Sequence, residues 1–184
     1  MKRAILKHAL NQLNKKTSTI SFQVINKLPE PVQRYLRLVL TEGIVPTFYA
    51  EMHHGGEFKT DQNKPWFEIK GHYHYLVDKP AFYWKGKIKP LPILSISARD
   101  YYYEGKGQVK VKLNSFIPIA KSSGNEVDQA SLLRFLSELP MFPSVFLTAN
   151  YLKWEEIDST SARIFIEDKG IKVDGVFTFN EKGE

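Results

Sequence analysis

Cysteine is missing from all 184 residues, which removes disulfides, a thiolate nucleophile and any thiolate-bound metal from consideration. That absence suits a reducing compartment, and the expectation is a cytoplasmic protein. No apolar run approaches the roughly 20 residues that a membrane-spanning helix needs. The first residues, MKRAILKHALNQLNKK, also lack the long apolar stretch and small-residue cleavage site of a signal peptide. A phosphate loop is missing, because Gly105-Lys106-Gly107 lacks the spacing and reads as a tight hairpin. No serine is framed as a nucleophile elbow.

Acidic residues are scarce at one end only. Residues 1–40 carry eight Lys or Arg against the single acid Glu30, whereas the remainder carries eighteen against nineteen. The net charge of +6 therefore belongs to the N-terminus, and a neutral body argues against a broad nucleic-acid-binding face. Residues 2–16 read as a basic amphipathic helix with Leu6, Ala9, Leu10 and Leu13 on one side. Such a helix either packs on the domain or makes a peripheral contact with anionic headgroups.

What is present is one strongly helical stretch inside a strand-like chain. Leu132, Phe135, Leu136 and Leu139 fall at i, i+3, i+4 and i+7, predicting a helix over 126–138. Asn125 can cap it, with Asp128 in the capping-box position, and Pro140 and Pro143 stop it. A polar connector over 14–28 leads to a second helix near 30–41, with Gly43 as its C-cap. Between and after these helices the period is two. Phe67, Ile69, Gly71, Tyr73, Tyr75 and Val77 alternate with Glu68, Lys70, His72 and His74, and similar sets run through 48–58, 82–88, 94–102 and 105–113. Residues 162–168 and 171–179 predict a hairpin around Asp168-Lys169-Gly170.

The expected fold is α+β: a strongly curved antiparallel sheet, open or half-barrel, carrying the central helix on its concave side. The architecture is similar to lipoprotein-carrier folds by analogy alone. Residues 1–28 would form a helix and connector, and 29–184 a single domain. Gly56, Gly71, Gly86, Gly105, Gly107 and Gly175 fall on the inward sets. They mark either kinks that curve the sheet or space for an apolar ligand. The final Asn180-Glu181-Lys182-Gly183 turn has no following strand, which suggests a missing C-terminal portion or a strand supplied by another copy through a sheet edge.

Three blocks carry a resemblance: LPEPVQRYLR at 28–37, ARDYYYEGKGQVKVKL at 98–113, and NEVDQASLLRFLSELPMFPSVFL followed by YLKWEEIDSTSARIFI. The chain resembles a bacterial family of uncharacterised proteins with LPxPVxRYL, RDxYxxGxG and RYLxE…WFPxAL motifs. Arg134, Phe135, Leu136 and Glu138 occupy the RYLxE places, while Met141 stands where the family has Trp. The resemblance implies no activity, and implies that related chains continue past residue 184.

Asp100 falls on the inward set between Ala98 and Tyr102, where a carboxylate needs a partner, and Arg134 on the covering helix is the candidate. Arg134 and Glu138 are four apart on that helix and can pair. The leading expectation is a non-enzymatic binding domain for a hydrophobic or amphipathic small molecule such as a lipid. Its wall would be Phe58, Phe67, Tyr73, Trp84, Tyr102 and Trp154, with Asp100, Arg134 and Glu138 as polar anchors. A hydrolase-like enzyme using Asp100 with Arg134 or Glu138 is the alternative, and an interaction module pairing through a sheet edge is another. His72 and His74 share a strand face, but His53 and His54 point apart, so neither a metal nor a cofactor is expected.

Overall fold

The computed structural model describes residues 1–13, 18–59, 61–91 and 93–184. The chain is α+β. A six-stranded antiparallel meander runs in the order β1 (Tyr49–Phe58), β2 (Phe67–Leu76), β3 (Ala81–Leu91), β4 (Leu94–Tyr103), β5 (Lys106–Leu113) and β6 (Ile117–Ser123). Its two ends do not meet, so β1 and β6 are both edges of an open sheet. Instead of continuing this sheet, β7 (Leu152–Glu156), β8 (Ser161–Asp168) and β9 (Ile171–Thr178) form a second one of their own.

Four α-helices precede the second sheet among the described residues. They are α1 (Lys2–Leu13), α2 (Glu30–Val39) and α3 (Asn125–Glu138), with a one-turn α4 (Val145–Thr148) after α3. Helix α3 packs on β5 and β4 with one side and on β9 with the other, so it is shared between the two sheets. The predicted stripe is what it buries: Leu132, Phe135, Leu136 and Leu139 meet Tyr75, Phe82 and Tyr102 of the large sheet and Ile164 and Ile166 of the small one. Val32 and Leu36 of α2 join the same core. Pro140 lies in the 3-10 turn that follows α3, as its missing N–H requires.

The ends of the helices differ from expectation. Asn125 lies inside α3, whose cap is Gly124 at φ 116°, and Asp128 does not close a capping box. Its carboxylate instead accepts the buried N–H of Gly107 at 2.7 Å and pairs with Lys106 at 2.9 Å. Tying helix to strand satisfies a buried donor that a cap would have left orphaned. Gly43 is not the C-cap of α2. Extended Leu40 ends that helix, and the Gly43 N–H donates to Ile20 O. The expected connector over 14–28 contains a 3-10 helix, Phe22–Lys27, and its residues 14–17 lie outside the described residues, as do the last three of the expected 2–16 helix.

Helix α1 lies on the outer face of the sheet. Ile5 and Ala9 pack with Leu76 and Ala81, while Leu10 and Leu13 of the expected stripe stay exposed. His8 and Gln12 bind Asp78 of the β2–β3 turn at 2.6 and 2.9 Å. Among the described residues, no helix is long and apolar enough to cross a membrane.

Candidate functional site

The pairing register explains how the site is assembled. Met52, Tyr73, Trp84, Asp100 and Val109 sit side by side across β1 to β5, forming one inward row. One step outward lies a row of His54, Gly71, Gly86, Ala98 and Val111. A further step gives Ile69, Ile88, Ile96 and Leu113. Helix α3 delivers Arg134 and Glu138 onto the first of these rows.

Arg134 is the hub. One terminal nitrogen, Nη1, pairs with Asp100 Oδ2, Nε donates to Glu138 Oε1 at 3.1 Å, and Nη2 donates to the Tyr73 hydroxyl at 2.6 Å. The guanidinium also lies 5.0 Å from the Phe82 ring and 5.5 Å from those of Tyr73 and Trp84. Ion pairing and aromatic faces thus compensate a charge that is mostly removed from water. The Tyr75 hydroxyl donates to the other oxygen of Glu138.

The two carboxyls feel this burial differently. Glu138 is pushed up to about 7 by desolvation. Burial also lifts Asp100 above the usual carboxylate range, although Arg134 pulls the other way. Asp100 Oδ1 is buried and has no partner among the described residues. Such an orphaned acceptor costs free energy that a ligand donor would recover.

The glycines of the second row are seats for aromatic rings. A Cβ on Gly71 would stand 1.8 Å from the His54 ring, and one on Gly86 2.4 Å from the Trp84 indole. Trp84 Nε1 donates to His54 Nε2 at 2.9 Å, locking the two rings over the two glycines. The space expected for a ligand at these positions is therefore filled by the chain itself. Gly107 serves another close approach, since its Cβ would meet Val127 O and Ser131 of α3.

Of the nine residues expected to form the site, five come together: Tyr73, Trp84, Asp100, Arg134 and Glu138. Tyr102 lies beneath them, fully buried, its hydroxyl donating to Asp168 Oδ2 at 2.8 Å. Phe58 and Phe67 pair at the far end of β1 and β2. Trp154 belongs to the small sheet, because β7 pairs with β8 and not with β1 or β6. There it packs with Phe146 and Phe177 beside an apolar cavity of about 170 Å³ that Tyr35 and Phe179 also line. Its buried Nε1 has no partner among the described residues. Sequence reasoning missed Tyr75 and His54 as members of the cluster. Both were on inward sets, so alternation held the signal, but only the register showed which residues they face.

A metal could be held elsewhere. Glu51, His72 and His74, on the outer face of β1 and β2, offer ligand atoms within 4.8 Å of one another. They are already bonded: Glu51 to His72 at 2.6 Å, and His74 Nδ1 to the Tyr49 hydroxyl at 2.8 Å. Burial first, then the charge of Lys2, hold His74 down to about 4 and so neutral. A cation would have to replace the Glu51–His72 hydrogen bond and tolerate that lysine.

The chain matches a family described as a family of unknown function, DUF6544, over residues 18–184, in keeping with the resemblance carried by its three sequence blocks. No curated protein and no solved structure matches it.

Proposed function

We propose that this chain, which belongs to the DUF6544 family, binds an amphipathic small molecule on the inner face of its open sheet. The observation that carries the reading is the orphaned Asp100 Oδ1, placed where a polar cluster adjoins a half-buried aliphatic surface. Ala98, Ile96, Val111 and Leu113 supply that surface, and all are only partly covered. A ligand would lay an apolar chain along these residues and turn a hydroxyl or amine donor toward Asp100. Apolar walls with a few convergent polar groups are the usual composition of small-molecule sites. Arg134 holds the other carboxylate oxygen of Asp100, Oδ2.

Native mass spectrometry after incubation with a long-chain alcohol, and separately with a long-chain amine, tests this. A one-to-one adduct is expected, and it should disappear in Ala98→Arg, a variant at a half-buried position, while the fold is retained. A clean apo mass with both probes would remove the reading.

A hydrolase-like activity is the second reading, favoured by the Glu138 carboxyl that burial holds near neutrality, where a general base works best. Turnover of acyl esters that vanishes in Glu138→Gln would favour it over simple binding.

A further inference from the structure

In an antiparallel meander, alternate turns lie at the same end of the sheet. The β1–β2, β3–β4 and β5–β6 turns therefore share one end, and the β2–β3 and β4–β5 turns share the other. The two ends differ in chemistry. The second carries Asp78, Lys79 and Glu104, with no exposed large apolar side chain among the described residues. The first presents exposed apolar side chains on every tip: Phe58 and Trp66 on one, Leu91 and Ile93 on the next, and Phe116, Ile117 and Ile119 on the third. Exposure reaches 58% at Trp66, 69% at Phe116 and 88% at Ile93, where a folded chain ordinarily keeps such residues covered.

Cations surround these tips. Across residues 57–68, 87–95 and 110–121 there are seven lysines against three acids, all three of them in the first segment. Lys59 Nζ stands 5.1 Å over the Trp66 ring, which leaves the indole between a charge and solvent. The outer face of the same strands adds Lys85 and Arg99, which stand opposite one another on β3 and β4, so the positive field continues away from the tips. Neutrality of the whole body conceals this segregation.

We infer that the three hairpin tips dock into the surface of an anionic lipid bilayer. Adjacent strands are about 4.8 Å apart, so the first and third tips are separated by about 20 Å. A planar surface meets all three at once. Aromatic and aliphatic side chains enter the headgroup–acyl boundary, and lysines just behind them meet lipid phosphates. This surface differs from the expected contact through residues 2–16, whose Ile5 and Ala9 are already spent on the sheet. It borders the Ile96–Leu113 end of the ligand surface but uses other side chains, so vesicle binding without any alcohol or amine adduct leaves it intact.

The test is co-sedimentation of the purified chain with vesicles of phosphatidylcholine alone and of phosphatidylcholine mixed with phosphatidylglycerol. Binding is expected with the anionic vesicles, weakening as salt rises. The triple variant Trp66→Ser, Ile93→Ser, Phe116→Ser should lose at least tenfold in affinity. Lys89→Gln and Lys112→Gln should each lose about fivefold, from roughly one charge near an anionic surface. Fluorescence of the wild type with brominated lipid provides a reading that needs no change at the aliphatic tips. Quenching should be clear in wild type and sharply reduced in Trp66→Phe. Absence of sedimentation with anionic vesicles overturns the inference. So does full binding by the triple variant, or a solution dimer that buries Trp66 against a second copy.

Discussion

Trp84 lies across Gly86 and gives its indole N–H to His54, whose ring covers Gly71. Gly86 is thus covered by the residue two positions before it, and Gly71 by a residue of the neighbouring strand. Adding a methyl group should cost according to what it strikes. At Gly107 it meets the α3 backbone at Val127 O, 2.6 Å away, so Gly107→Ala should destabilise by about 1–3 kcal/mol. At Gly71 it meets only the end of the His54 side chain, which can swing aside, and the loss should be smaller. Urea unfolding of the two variants, followed by circular dichroism, checks the order.

Arg134 and Asp100 should behave as a coupled pair. Arg134→Ala leaves a buried carboxylate with no counter-charge, and should cost about 2–4 kcal/mol, less than for a fully dry pair because the guanidinium is partly solvated. Combining it with Asp100→Asn should restore part of that loss. A double-mutant cycle by chemical denaturation measures the coupling, and strict additivity would show the pair to be energetically independent.

Glu138 sets a pH dependence of unusual sign. Its pKa rises from 4.5 unfolded to about 7 folded, so between those values the folded chain holds the proton that the unfolded chain has lost. Protonation then favours folding, and this group's contribution to stability falls as pH rises from about 4.5 to about 7. Thermal unfolding of the wild type should therefore lose more between pH 5 and pH 8 than that of Glu138→Gln. Parallel profiles would show that the group is not shifted.

Asp128 joins helix to strand through the buried Gly107 N–H. Asp128→Ala should cost about 1–3 kcal/mol, the penalty of an unpaired buried donor. Asp128→Asn keeps an acceptor oxygen and should lose less. Hydrogen exchange at the Gly107 amide distinguishes the two directly, being fast in the alanine variant and protected in the asparagine one.

The periodicity of the sequence determined most of the local structure. Alternation set which side chains face inward on β1 to β5, while β6, exposed along its whole length, carried no such signal, and Leu132, Phe135, Leu136 and Leu139 fixed the buried face of α3. The Lys169-Gly170 turn was equally legible, because positive φ at both positions suits a two-residue hairpin. Even the Asp100–Arg134 pair followed from sequence, since a carboxylate on an inward set under a helix has few partners to choose from. What periodicity cannot supply is register and sheet membership. Both depend on contacts between residues far apart in the chain, and a local pattern is the same whichever strand lies beside it. Pairing of β7 with β8 carried Trp154 into another sheet, away from the wall it was expected to join. Register placed His54 over Gly71 and turned an apparent gap into a filled seat. Topology gathered Trp66, Ile93 and Phe116 at one end, although in sequence they sit in three separate turns. Charge followed the same rule: a body neutral by count became a sheet with lysines around one rim, because folding sorts side chains by position in space.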